Sequence, residues 1–226
     1  MSIALGIIQI FVLLFAITIH EASHGWTAHK LGDPTAYLQG RVTLNPLAHI
    51  DPFGTVILPL FLILLGAPAF GWAKPVMVNP YNLRNPKRDN LWISAAGPLS
   101  NIMVAFFCLM AIVFFKGITP RVGYFLKSLL TGHLVFSPGF HPLEGLSLIL
   151  FYGTLINTYL AVFNLIPVPP LDGSGVLMGL LSDEAAEKYD RIRPFGFIII
   201  LALIYLGLLS LIIRPILIVI YTIIFL

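Results

Sequence analysis

A chain of 226 residues that is 58% hydrophobic and 10% charged, with a mean hydropathy of +0.94, does not have the composition of a soluble globular domain. Thirteen Lys and Arg against ten Asp and Glu leave a net charge of +3, so the pI of about 9.1 reflects few acids and not a basic surface able to grip nucleic acid. The single cysteine, Cys108, excludes an internal disulfide and a cysteine-based zinc cluster, so any metal must be held by His and carboxylate.

In chain order, the charge-free stretches mark the candidate membrane spans, because a bilayer core needs about 20 apolar residues on a helix. Met1 to Ile19 runs uncharged into His20; without a basic start or a small-residue cleavage site it reads as a retained helix. Tyr37 to Leu44 and Phe70 to Val78, rich in β-branched or aromatic residues and bounded by Gly, Pro and Asn, read as short strands near the membrane surface. Between them, Pro52 to Trp72 is apolar but short and broken by Pro59, Gly66 and Pro68, the pattern of a re-entrant segment. Asn90 to Phe115 and Gly145 to Leu171 are each long enough to cross, the second running into Pro167, Pro169 and Pro170. A fourth span is expected over Pro194 to Ile213, with Arg214-Pro215 setting off a kinked or interfacial tail from Ile216 to Leu226.

The expected fold is therefore an all-α polytopic membrane protein with about four transmembrane helices, a re-entrant segment and short surface strands. No internal repeat or appended soluble domain is visible, so residues 1–226 read as a single membrane-embedded domain. Charge counting supports the re-entrant reading. It places Lys30, Arg41, Lys74, Arg84, Lys87, Arg88, Lys188, Arg191 and Arg193 on one side, against Lys116, Arg121 and Lys127 on the other.

At the end of the first span stands His20-Glu21-Ala22-Ser23-His24. Residues four apart lie about 40 degrees apart around a helix, so both imidazoles can share one zinc while Glu21 reaches the attacking water. Ionisable groups at membrane depth are costly, which weighs against a chance cluster. A third His ten residues after His20 would indicate a metzincin, but that position is Lys30. The remaining candidates for a third ligand are His49, Asp51, Glu144 and Asp172. His49 and Asp51 sit in Pro-flanked loops and read as turn formers, and Glu144 falls on the far side with His133 and His141. Asp172 follows the Pro-rich break and from this segment alone reads first as a cap for the next helix; the topology, which brings it to the same side as His24, shifts the weight towards a ligand.

Here the residues resemble the site-2 proteases, intramembrane zinc metalloproteases. The resemblance rests on HEASH at 20 to 24 and NLIPVPPLDG at 164 to 173. It is supported by GRVTLNPLAHIDPFG at 40 to 54, FGWAKPV at 70 to 76 and AAGPLSN at 95 to 101. It looks like the compact branch without PDZ or CBS domains. It implies one zinc ion on His20, His24 and Asp172, Glu21 as general base, and Asn164 as a second catalytic residue that helps bind substrate or the oxyanion. It further implies a multi-pass protein of the plasma membrane that cleaves helices of membrane-protein substrates within the lipid bilayer, with its active site nearer the cytoplasmic side. The alternative is a zinc transporter or sensor without hydrolase activity. Such a protein needs no Glu between its two His, and transporters show repeats and several ionisable spans. Gly97, Asn101 and Ala105, at spacing four, read as a close-packing face, with Asn101 bonding near Glu21.

Overall fold

The computed structural model describes residues 3–58, 61, 73–130 and 142–225. Four helices are long and apolar enough to cross a membrane. Helix α1 (Ile3–Lys30) holds the first span and carries His29 and Lys30 in its last turn, where cations suit the carbonyl end of the helix. A single helical turn, α2 (Thr35–Leu38), follows. Helix α3 (Pro86–Ile118) starts at a reciprocal cap: Asn85 Oδ1 accepts the Arg88 N–H, while Asp89 Oδ2 accepts the Asn85 N–H at 2.8 Å. Helix α4 (Pro120–Leu130) is amphipathic and buries Val122, Phe125 and Leu126. Helix α5 (Pro142–Asn164) is the third span. Two short helices, α6 (Asp172–Leu180) and α7 (Asp183–Asp190), precede α8 (Gly196–Tyr205) and α9 (Leu208–Phe225), the last being the fourth span.

Helix α3 is the central post, packing along α1, α5 and α6. At one end of the bundle Leu5, Ile112, Leu126, Leu148 and Ile224 form the main apolar cluster. Polar tethers close that same end: Lys116 donates to the Ile224 carbonyl at 3.0 Å, and Arg121 Nε pairs with the buried Glu144 at 2.8 Å. At the other end, Ala28, Leu83 and Ile93 cluster beside the second half of α1. His20 and His24 therefore lie in the half of α1 remote from Leu5, and Glu144 is at the opposite end of the molecule.

Two expectations about local structure are corrected. Among the described residues there is no strand. Of 37–44, Tyr37 and Leu38 instead close α2, Gln39 and Gly40 turn, and the rest is irregular; Asp33 Oδ1 starts the turn by accepting both the Thr35 N–H and the Thr35 hydroxyl. Residues 73–78 form no regular element; the Lys74 N–H goes to the His49 carbonyl and the Val76 N–H to Glu21, and not to a neighbouring strand; 70–72 lie outside the described residues. The second correction concerns the last span. The break falls at Gly207, not at Arg214-Pro215: Gly207 adopts φ +71, and the Leu206 and Gly207 N–H groups close the end of α8 on Ala202 and Ile204. Pro215 is carried inside α9, whose residues Ile220 and Ile224 reach the main cluster, so this segment is part of the span and not a tail. Most of the proposed re-entrant stretch lies outside the described residues; its start, Pro52–Ile57, is a π-helical turn capped by Asp51.

Candidate metal centre

The helical register of α1 puts the His20 and His24 rings side by side, with centroids 4.7 Å apart and planes nearly perpendicular. Each ring is fixed by its Nδ1. His24 Nδ1 lies 2.6 Å from the Ile93 carbonyl of α3, which only accepts, so Nδ1 carries the proton. His20 Nδ1 lies 2.5 Å from Asn101 Oδ1. The orientation of that amide follows from its other end: Asn101 Nδ2 donates to the Ala16 carbonyl at 3.1 Å and to Asn157 Oδ1 at 2.7 Å. Asn157 in turn donates to the Gly153 carbonyl one turn back on α5. Asn101 and Asn157 are buried, and this chain of bonds ties α1, α3 and α5 together behind the imidazole.

With both Nδ1 atoms protonated, the two Nε2 atoms present lone pairs, and the Asp172 carboxylate meets both. Asp172 Oδ2 is 2.9 Å from His20 Nε2, and Oδ1 is 3.4 Å from His24 Nε2. Asp172 does not cap α6, whose N-cap is Leu171 and which has no side-chain cap bond. Helix α6 reaches this place by lying close on α3, where Gly175 faces Ser94 and Gly179 faces Leu91. Lone pairs of neutral imidazoles facing a carboxylate repel unless positive charge lies between them, and a cation supplies it. The separations also suit zinc, since ligand bonds of about 2.0 Å in a tetrahedron put neighbouring ligand atoms about 3.3 Å apart. Among the described residues, His20, His24 and Asp172 are the one such cluster of His, Cys, Asp and Glu, with ligand atoms within 4.8 Å of one another.

Gly97 of α3 faces this cluster. A Cβ there would overlap His24 Nε2 and lie 2.6 Å from His20 Nε2, so only glycine lets α3 pass this close to both rings. Glu21, half-buried on the adjacent face of α1, accepts the Val76 N–H on Oε2 at 3.1 Å. The other sequence candidates are elsewhere. Asn164, at the end of α5, donates its amide to the Leu160 carbonyl at 3.0 Å and has no hydrogen bond to the cluster. His49 is buried with Nε2 on the Thr43 carbonyl, Asp51 Oδ1 caps Phe53 and Gly54, and Glu144 pairs with Arg121. Asn101 bonds next to Glu21, its partner being the adjacent His20. Asn157 was not singled out in the sequence; an amide in the middle of a span is the signal that could have found it.

The model of peptidase family M50 matches residues 8–206. The chain belongs to this family. As an M50 member it is an integral membrane metallopeptidase, and zinc is the metal the family implies. It is 34% identical over 213 residues to YwhC of Bacillus subtilis, covering 92% of this chain and 84% of that protein, which is named as a zinc metalloprotease. It is 29% identical over 205 residues to Rip2 of Mycolicibacterium smegmatis, covering 88% of this chain and 69% of that protein, and 30% identical over 176 residues to MJ0611 of Methanocaldococcus jannaschii, covering 78% and 72%. Both carry the same kind of name. No solved structure matches the chain.

Proposed function

We propose that this M50 peptidase hydrolyses peptide bonds in or near the transmembrane helices of membrane-protein substrates, and that it serves regulated intramembrane proteolysis. It holds one zinc ion on His20, His24 and Asp172. The observation that carries the reading is the convergence of two Nδ1-protonated imidazoles and a carboxylate inside a bundle of membrane helices, with Glu21 beside them. Zinc, when bound, supplies a Lewis acid for the scissile carbonyl and lowers the pKa of water from about 15.7 towards 7. Glu21 takes the proton of the attacking water and delivers it to the leaving amine. The Asn101 amide and the Ile93 carbonyl hold the two imidazoles in their metal-binding tautomer throughout. Asn164 contributes at the substrate by turning its amide from the Leu160 carbonyl towards the oxyanion. The protein resides in the plasma membrane with the site near the cytoplasmic face, a placement supported by the nine Lys and Arg on that side against three opposite.

The direct test is purification in detergent followed by incubation with a panel of single-span peptides. Cleavage within the span, stopped by a chelator and restored by zinc, is expected; cleavage confined to soluble flanks would overturn the intramembrane reading. The ligand set makes a second prediction. Asp172→Ala is expected to lower bound zinc as far as His24→Ala does, because three protein ligands hold the ion and losing any one opens the site. Full zinc stoichiometry in Asp172→Ala would remove it from the ligand set.

A further inference from the structure

Segment 73–79 is tied to its surroundings at three backbone N–H groups. Lys74 donates to the His49 carbonyl at 2.9 Å, and Val76 donates to Glu21 Oε2 at 3.1 Å. At the end of the segment, the Asn79 N–H donates to Asp33 Oδ2 at 2.7 Å. Asp33 is fully buried just beyond α1, and its other oxygen, Oδ1, accepts the Thr35 N–H, the Thr35 hydroxyl and the Asn82 amide. Burial would raise this carboxyl, but four donors outweigh it and hold it below the usual carboxylate range. The side chain of Val76 also seats on α1: a Cβ on Gly25, the residue after His24, would be 3.5 Å from Val76 Cγ1 and 3.1 Å from Val42 Cγ2.

A glutamate has three side-chain torsions, and a base that must aim one oxygen at a water gains from having the other held. We propose that Val76 is a positioning residue for Glu21 through its backbone N–H, and that Asp33, acting through Asn79, is the anchor that keeps segment 73–79 in place. This rests on the reading of Glu21 as general base. It assigns Asp33, remote from the metal ligands, a part in the reaction.

Asp33→Asn separates the bonds. Asparagine keeps an oxygen for Thr35 and Asn82 but sets an NH₂ against the Asn79 N–H, so the anchor to segment 73–79 is the bond that fails. In the full-length protein in detergent, Asp33→Asn is expected to retain wild-type zinc content and KM while kcat for a susceptible single-span peptide falls roughly tenfold to a hundredfold. Val76→Pro, which deletes the donor itself, is expected to do the same and serves where Asp33→Asn fails to fold. The discriminating measurement is the double variant with Glu21→Gln. An anchor acting through Glu21 has nothing left to position, so Asp33→Asn is expected to leave the residual rate of Glu21→Gln unchanged. Wild-type kcat in both Asp33→Asn and Val76→Pro would overturn the proposal, as would loss of zinc or an equal slowing in the Glu21→Gln background, both marks of a merely structural role. Full activity in Glu21→Gln alone would instead overturn the reading of Glu21, whatever Asp33→Asn does.

Discussion

Glu21→Gln is expected to keep zinc and the fold and to slow peptide cleavage by orders of magnitude, leaving a small residual rate. Glutamine preserves the size of the side chain, and its carbonyl oxygen can still accept the Val76 N–H. Its amide cannot take up the proton that water must lose as it attacks. His20, His24 and Asp172 are unaltered, as are the Nδ1 bonds to Asn101 and Ile93, so the affinity for the ion has no reason to fall. Loss of a general base costs about a hundred- to ten-thousand-fold in rate, roughly 3 to 5 kcal/mol of barrier. Zinc content and cleavage of a single-span peptide, measured on the same preparations, check this. Full activity would remove Glu21 as the base, and loss of zinc along with activity would show that it supports the metal.

What could be read in the sequence divides along a physical line. The spans of α1, α3 and α5 were legible because the bilayer imposes length and apolarity, which are local properties of the chain. The pairing of His20 with His24 was legible because helical periodicity fixes it. Asp172 could not be separated from a capping residue, since what turns its carboxylate inward is the packing of Gly175 and Gly179 on α3, a contact between segments about 80 residues apart. The short strands failed for a related reason: β-branched composition describes a segment, whereas a strand needs a partner, and the Lys74, Val76 and Asn79 N–H groups found His49, Glu21 and Asp33. The Val76 bond to Glu21 leaves no mark in the sequence, because any residue but proline brings a backbone N–H. At Gly207 a local signal was present and was outweighed by the more conspicuous Arg214-Pro215, which α9 absorbs.

Gly97→Ala is expected to cost most of the bound zinc while the protein still folds. The added methyl would enter the space between α3 and the two Nε2 atoms, where ligand atoms and ion must sit. Neither ring can swing aside cheaply, because His20 is held by Asn101 and His24 by the Ile93 carbonyl, both on α3 itself. Rotating a ring breaks a buried hydrogen bond, and keeping the bond brings the clash with it, so relief has to come from α3 moving off α1. Overpacking of this kind costs about 1 to 3 kcal/mol, which a membrane bundle with its main apolar cluster at the other end can tolerate. A shift of a few tenths of an ångström at three ligands is felt far more strongly by the ion, whose bond lengths are narrow. Gly117→Ala is the matched control, lying on the same helix with nothing within 4 Å of the added Cβ. Its zinc content and thermal midpoint in detergent should equal or exceed those of wild type, since Ala is the better helix former by up to about 1 kcal/mol. Full zinc and activity in Gly97→Ala would mean that α3 does not press on the imidazoles, and that the close approach of α3 to α1 is not what shapes the metal centre.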